Sequence, residues 1–192
     1  MSRQLLYRVA CSAVCAAAFL AAPTVEAQVF YNDGGVHVIN GPSDKIEILN
    51  GPGNAPTTVT VEAPAVVGAS SDYSVNVRDS SVFNMTGGTL FDELFMFNNS
   101  TATISGGQIG DDITTNDNAS IVVHYVKVLD DVEATGNSLV TIYDGDFDED
   151  VEAYNSAVVN IFGGMFQTGS DGANIEAADN STINIHGGAF GV

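Results

Sequence analysis

Gly87-Gly88, Gly106-Gly107 and Gly163-Gly164 fall on one grid of 19 residues, which Tyr125-Val126 and Asp144-Gly145 complete; a sixth pair, Gly187-Gly188, follows 24 residues later. Apolar residues keep the same grid. Four positions before each pair stand Phe83, Ala102, Ile121, Val140, Val159 and Ile183, and two before stand Met85, Ile104, Val123, Ile142, Ile161 and Ile185. Three positions after stand Leu90, Ile109, Val128, Phe147, Phe166 and Phe190; seven after stand Leu94, Ile113, Val132, Val151 and Ile175.

Alternation at the first two columns, filled largely by β-branched side chains, is the period-2 pattern of a half-buried strand. A 19-residue unit is too short for a strand, a crossover helix and a second strand, and one unit alone cannot bury its apolar face. Stacking buries it. The fold class predicted is all-β: a single-stranded parallel β-helix, or β-solenoid, of about 19 residues per coil, with like residues aligned about 4.8 Å apart. Apolar steps of two, five and four residues do not fit the six-residue step of a left-handed hexapeptide coil. They favour the right-handed form, the usual chirality of parallel connections.

Bends follow from residue type. The glycine pairs supply a positive-φ corner, and Asn99, Asn118, Asn137 and Asn180 supply a second, where stacked amides could form a ladder. Asp92, Asp111, Asp130 and Glu149 occupy a third. Gln167 to Asn174 inserts about five extra residues before the last coil. Before Ser80 the register fades, and Val36-His37-Val38-Ile39, Ile46-Glu47-Ile48-Leu49 and Val59-Thr60-Val61 read as strands between Asn-Gly-Pro and Gly-Pro-Gly turns. The organisation expected is a signal peptide over 1–27, an N-terminal cap with irregular first coils over 28–74, and regular coils over 75–192. The last residues, Phe190-Gly191-Val192, fall in mid-coil, which suggests self-association through the C-terminal coil or a longer array.

The export signal rests on Arg3 and Arg8 around a positive start, the apolar run Val9 to Leu20, and small residues at Val25-Glu26-Ala27, with cleavage expected after Ala27. The apolar run is short for a membrane anchor and contains Pro23, so no transmembrane segment is expected in the mature chain. Both cysteines, Cys11 and Cys15, would leave with it, which removes disulfides, thiolate catalysis and cysteine metal sites. Cleavage would remove only Glu26 of the 24 acidic residues and leave Lys45, Arg78 and Lys127 as the mature cations. So acidic a chain excludes nucleic acid and an anionic membrane surface as partners. Its hydrophobic content of 45% and its patterning exclude disorder.

Units such as Ser156-Ala157-Val158-Val159-Asn160-Ile161-Phe162-Gly163-Gly164-Met165-Phe166 resemble those of the secreted right-handed β-helix repeat proteins of bacteria, including passenger regions of adhesin-like autotransporters. The resemblance implies a cell-surface or extracellular location. It admits adhesins, surface-layer components and polysaccharide lyases alike.

Three groups of residues could carry chemistry. Asp111-Asp112, Asp130-Asp131 and Glu149-Asp150 stack on successive coils, where like charges at strand spacing repel and bound Ca²⁺ would relieve them. Gly106-Gly107-Gln108-Ile109-Gly110-Asp111 resembles a calcium-binding nonapeptide, with Ile109 at the position of its third glycine. Calcium is therefore the possible cofactor, and a solvated acidic edge is the alternative. Second, His124, Tyr143 and Phe162 share an outward column and could meet a glycan or a protein partner, or simply stack on one another. Third, His37, His124 and His186 are too scattered for a metal site. Within the repeats only Arg78 and Lys127 could serve as catalytic bases, and no enzyme is predicted. The function expected is a structural or adhesive extracellular component, with a carbohydrate-active β-helix as the alternative.

Overall fold

A computed structural model describes residues 27–68, 73–167 and 175–191. Residues 1–26, which make up nearly all of the signal peptide expected over 1–27, most of the insertion and Val192 lie outside the described residues. The chain is a parallel β-solenoid of about 19 residues per turn and about 7 turns. Each full turn contributes one strand to each of three faces.

Face 1 is an eight-stranded sheet whose order follows the chain from Gln28–Tyr31 through Lys45–Ile48, Val75–Val77, Leu94–Met96, Ile113–Thr115, Val132–Ala134 and Val151–Ala153 to Ile175–Ala177. Face 2 contains Val36–Ile39, Thr58–Val61, Ser120–Val123, Leu139–Ile142, Val158–Ile161 and Thr182–Ile185. Face 3 contains Pro42–Ser43, Val66–Val67, Lys127–Val128, Asp146–Phe147, Met165–Phe166 and Ala189–Phe190. Two long strands, Val82–Leu90 and Thr101–Ile109, bend through their glycine pairs and belong to faces 2 and 3 together.

The register matches the sequence grid. Ala102 pairs with Ile121, Val140 with Val159 and Phe147 with Phe166, each pair 19 residues apart. All four apolar columns point inward and are buried up to Phe166; on the coil that holds Thr182–Ile185 and Ala189–Phe190, Ile185 and Phe190 are exposed. Each fully buried Val, Ile, Leu or Phe stabilises by about 1.5–3 kcal/mol relative to an exposed one, and the solenoid repeats that gain on every coil. The inner Phe147, Phe166 and Phe190 rings stack in series at 4.8 and 4.7 Å. A fifth inner column, Met96, Thr115, Ala134 and Ala153, and a small-residue column at Ser81, Ser100, Ala119, Ser138 and Ala157 complete the core.

Corners follow residue chemistry. The second glycine of each pair lies at positive φ, as at Gly107 (φ 105°), where a Cβ would stand 2.7 Å from the Gly88 carbonyl oxygen. The opposite corner has its own left-handed column: Asp79, Asn98, Asp117, Gly136, Asn155 and Asp179. These are the residue types that tolerate that conformation. One position later the amide ladder forms, Asn118 Nδ2 donating to Asn99 Oδ1 at 3.3 Å and Asn137 Nδ2 to Asn118 Oδ1 at 3.2 Å. Asn180 holds the same corner, its N–H donating to the Asn155 carbonyl at 2.8 Å.

The segment before Ser80 continues the three faces in coils of uneven length. Gln28 pairs with Lys45, Val36 with Thr58 and Thr58 with Val82. Tyr31 and His37 pack ring against ring at 4.7 Å near that end of the stack, and His37 Nε2 lies 2.9 Å from Asp33 Oδ1. No helix among the described residues is long and apolar enough to cross a membrane.

Candidate functional site

The acidic bend joins face 3 to face 1. At this bend the chain leaves an inward Leu90, Ile109 or Val128 and re-enters at Leu94, Ile113 or Val132, and the acidic residues between are half-buried, partly open to water. Among the described residues, three carboxylates converge at Asp111, Asp112 and Asp130, one oxygen of each lying within 4.8 Å of the others. Asp131, Glu149 and Asp150 stack beyond this group. Two ligand oxygens on opposite sides of one Ca²⁺ stand about 4.8 Å apart, so these three could share an ion and leave its other positions to water or backbone.

The same carboxylates also hold the backbone. Asp112 Oδ1 accepts the Asp131 N–H at 2.9 Å, and Asp131 Oδ1 accepts the Asp150 N–H at 2.7 Å. Two coils before Asp112 the Ser74 hydroxyl makes a similar tie, accepting the Asp92 N–H at 2.8 Å. Each rung thus ties one coil to the next.

Crowding shifts their acidity. Burial, then hydrogen bonds shared with Asp92 and Asp130, then the charges of Asp112 and Asp130 push the Asp111 carboxyl up to about 7. Burial pushes Glu93 up to about 7 as well; the Thr114 hydroxyl, donating to it at 2.5 Å, opposes the rise, and Asp112, Asp111 and Glu133 add to it. Asp112 and Glu133 are raised too, burial being the first cause in each. On the outside of face 1, Glu133, Glu152 and Glu176 align as a further column. The sequence grid contains that column at steps of 19 and 24, but its outward direction is fixed only by the inward Val132, Ala134, Val151 and Ala153 beside it.

The ring column lies at the rim of face 2. His124, Tyr143, Phe162 and His186 stack in series, with centroids 5.2, 5.2 and 4.7 Å apart and planes within 16° of parallel. Rings stacked in this way cover one another's faces and turn their edges to solvent, so the inner two offer a partner an apolar edge and no open face. Tyr143 and Phe162 remain 47% and 45% exposed.

The basic residues are dispersed. Lys127 Nζ binds both carboxylate oxygens of Asp148 at 2.9 Å, and Gln167 Nε2 donates to the same carboxylate at 2.8 Å. Arg78 Nε stands 2.8 Å from Glu47 Oε1 in an ion pair whose angle falls short of a hydrogen bond, and its guanidinium lies 4.6 Å from the Phe97 ring centre. Beside it Gln28 Nε2 donates to Glu47 Oε2 at 2.7 Å, and Lys45 lies over the Tyr73 ring at 5.1 Å. This second cluster escaped the sequence reading because Glu47 and Arg78 sit on coils of uneven length. A shallow depression of about 390 Å³ near the same end is lined by Val29, Pro42, Ser43, Asp44 and Val66.

No family model, curated protein or solved structure matches this chain. The class defined by its geometry is therefore the β-solenoid, a scaffold of extended side faces.

Proposed function

We propose that the protein is a secreted, acidic β-solenoid that acts as a structural or adhesive component outside the cell, working through its side faces. The observation that carries this reading is the segregation of side chains by face. Carboxylates crowd the acidic bend and face 1, while the outward strand positions of face 2 are uncharged. Extended flat faces suit contact with a surface or a partner chain better than chemistry on a small substrate. Ca²⁺ at Asp111, Asp112 and Asp130, and onward to Asp131, Glu149 and Asp150, would stiffen such a component by neutralising the stacked charge.

A carbohydrate-active β-helix is the second reading, favoured by Arg78 standing beside Glu47 over the Phe97 ring. One experiment separates the two. The protein is incubated with a panel of soluble and insoluble polysaccharides, and both retention and new reducing or unsaturated ends are measured. Retention without new ends supports the component; turnover without retention overturns it.

A further inference from the structure

Face 2 differs from the rest of the surface in one respect that bears on assembly. In a chain of net charge −19, the outward positions of its strands, from Val36 and Val38 up to Thr182 and Asn184, include no Asp, Glu, Lys or Arg. Their outward rows read Ser120 and Val122, Leu139 and Thr141, and Val158 and Asn160 on three successive coils, with Tyr143 and Phe162 at the rim beyond. Leu139 is 42% exposed at one edge of the face, and the stacked Tyr143 and Phe162 rings are exposed at the other, with Thr141 and Asn160 between them. The charges lie at its rims, Asp79, Asp117 and Asp179 at the corner before its strands and Glu62 and Asp144 just past their ends.

We infer that face 2 is a lateral self-association surface, on which a second copy of this chain packs sheet against sheet about a two-fold axis. Charge favours this occupant. Two copies this acidic repel wherever Glu133, Glu152 or the acidic bend would meet, and face 2 lets them touch while those groups point away. Periodicity favours it as well, because a second copy brings the same strand spacing of about 4.8 Å, so side chains can interdigitate along the whole stack at the usual sheet separation of about 10 Å. Eight rungs about 4.8 Å apart and five residues at about 3.3 Å give a footprint of roughly 500 Å² per copy, or about 1,000 Å² in total. That reaches the lower bound for a specific interface, so the association is weak and concentration-dependent. It goes beyond the reading as a surface component and holds whether or not the other faces bind anything.

Sedimentation equilibrium of the full-length chain over a wide range of protein and salt concentrations tests the inference. Two double variants of equal charge change are compared with it: Leu139→Lys with Val158→Lys on face 2, and Thr89→Lys with Gln108→Lys on face 3. Leu139→Asn serves as a milder face 2 variant, and circular dichroism confirms that each variant folds. The wild type is expected to dimerise more as salt screens its repulsion. The face 2 double variant weakens the dimer at least about tenfold, while the face 3 double variant, which also relieves net charge, leaves it equal or stronger. Four results overturn the inference: a monomer under all conditions, equal loss in both double variants, dissociation by salt, or a monomeric wild type whose retention on insoluble neutral polysaccharide is abolished by the face 2 changes.

Discussion

The backbone N–H of Asp131 donates to the carboxylate of Asp112, 19 residues earlier, at 2.9 Å. A side chain that reads as surface charge is thereby also a rung between coils. Asp112→Ala leaves the Asp131 N–H without its acceptor and is expected to destabilise by about 1–3 kcal/mol. Asp112→Asn keeps an oxygen acceptor and removes a crowded charge, so its denaturation midpoint at pH 8 should equal or exceed the wild type's. Urea unfolding of the two variants checks the contrast.

Stability should fall as pH rises through the weakly acidic range. Asp111 and Glu93 titrate near 7 in the folded chain against ordinary values of 3.8 and 4.5, so between those limits the folded state holds more protons than the unfolded one. Their contribution is fully present below about pH 4 and lost by about pH 7 and above. Thermal melts should give a midpoint at least about 3 °C lower at pH 8 than at pH 5.5. Millimolar Ca²⁺ should recover more of that loss at pH 8 than at pH 5.5, and no recovery at either pH would remove calcium from the account.

Thr114 sets part of this balance from the next coil. Its hydroxyl stabilises the Glu93 carboxylate, so Thr114→Val should move the Glu93 titration still higher than 7. Carbon-13 NMR of the Glu93 carboxyl across pH 4–9 follows the midpoint directly.

Phe147 is fully buried and stacks on Phe166 at 4.8 Å. Phe147→Ala should cost about 3–5 kcal/mol. Because each coil touches only its neighbours, hydrogen exchange should accelerate first around Val128, Phe147 and Phe166 and least at Val59 and Val61.

Much of the fold is legible in the sequence because the core is one-dimensional: the residue that fills a position on one coil fills it again 19 positions later, as Ile104, Val123, Ile142 and Ile161 do. The amide ladder and the stacked rings are legible for the same reason. The left-handed corner at Asp79, Asn98, Asp117, Gly136, Asn155 and Asp179 also had a signal, since every member is Asp, Asn or Gly, but it sits beside the asparagine column and was overshadowed by it. Asp117 accepts both the N–H and the side-chain amide of Asn98, so Asp117→Ala should cost about 1–2 kcal/mol by removing the acceptor and straining the backbone together. The uncharged character of face 2 emerges only once the outward positions of all its coils are set side by side. The Glu47 and Arg78 pair could not be placed from spacing, because no fixed period links their coils.

The stacking of one coil per repeat is the claim on which the rest depends, and electron spin resonance distances measure it. A nitroxide at Thr89 is paired in turn with one at Asp146, Met165 or Ala189, residues of the same outward column on face 3. At about 4.8 Å per coil, the backbone separations should rise through about 14, 19 and 24 Å in equal steps. A series that fails to lengthen by one strand spacing per coil, or that lengthens by the span of an extended or helical chain, would contradict the solenoid.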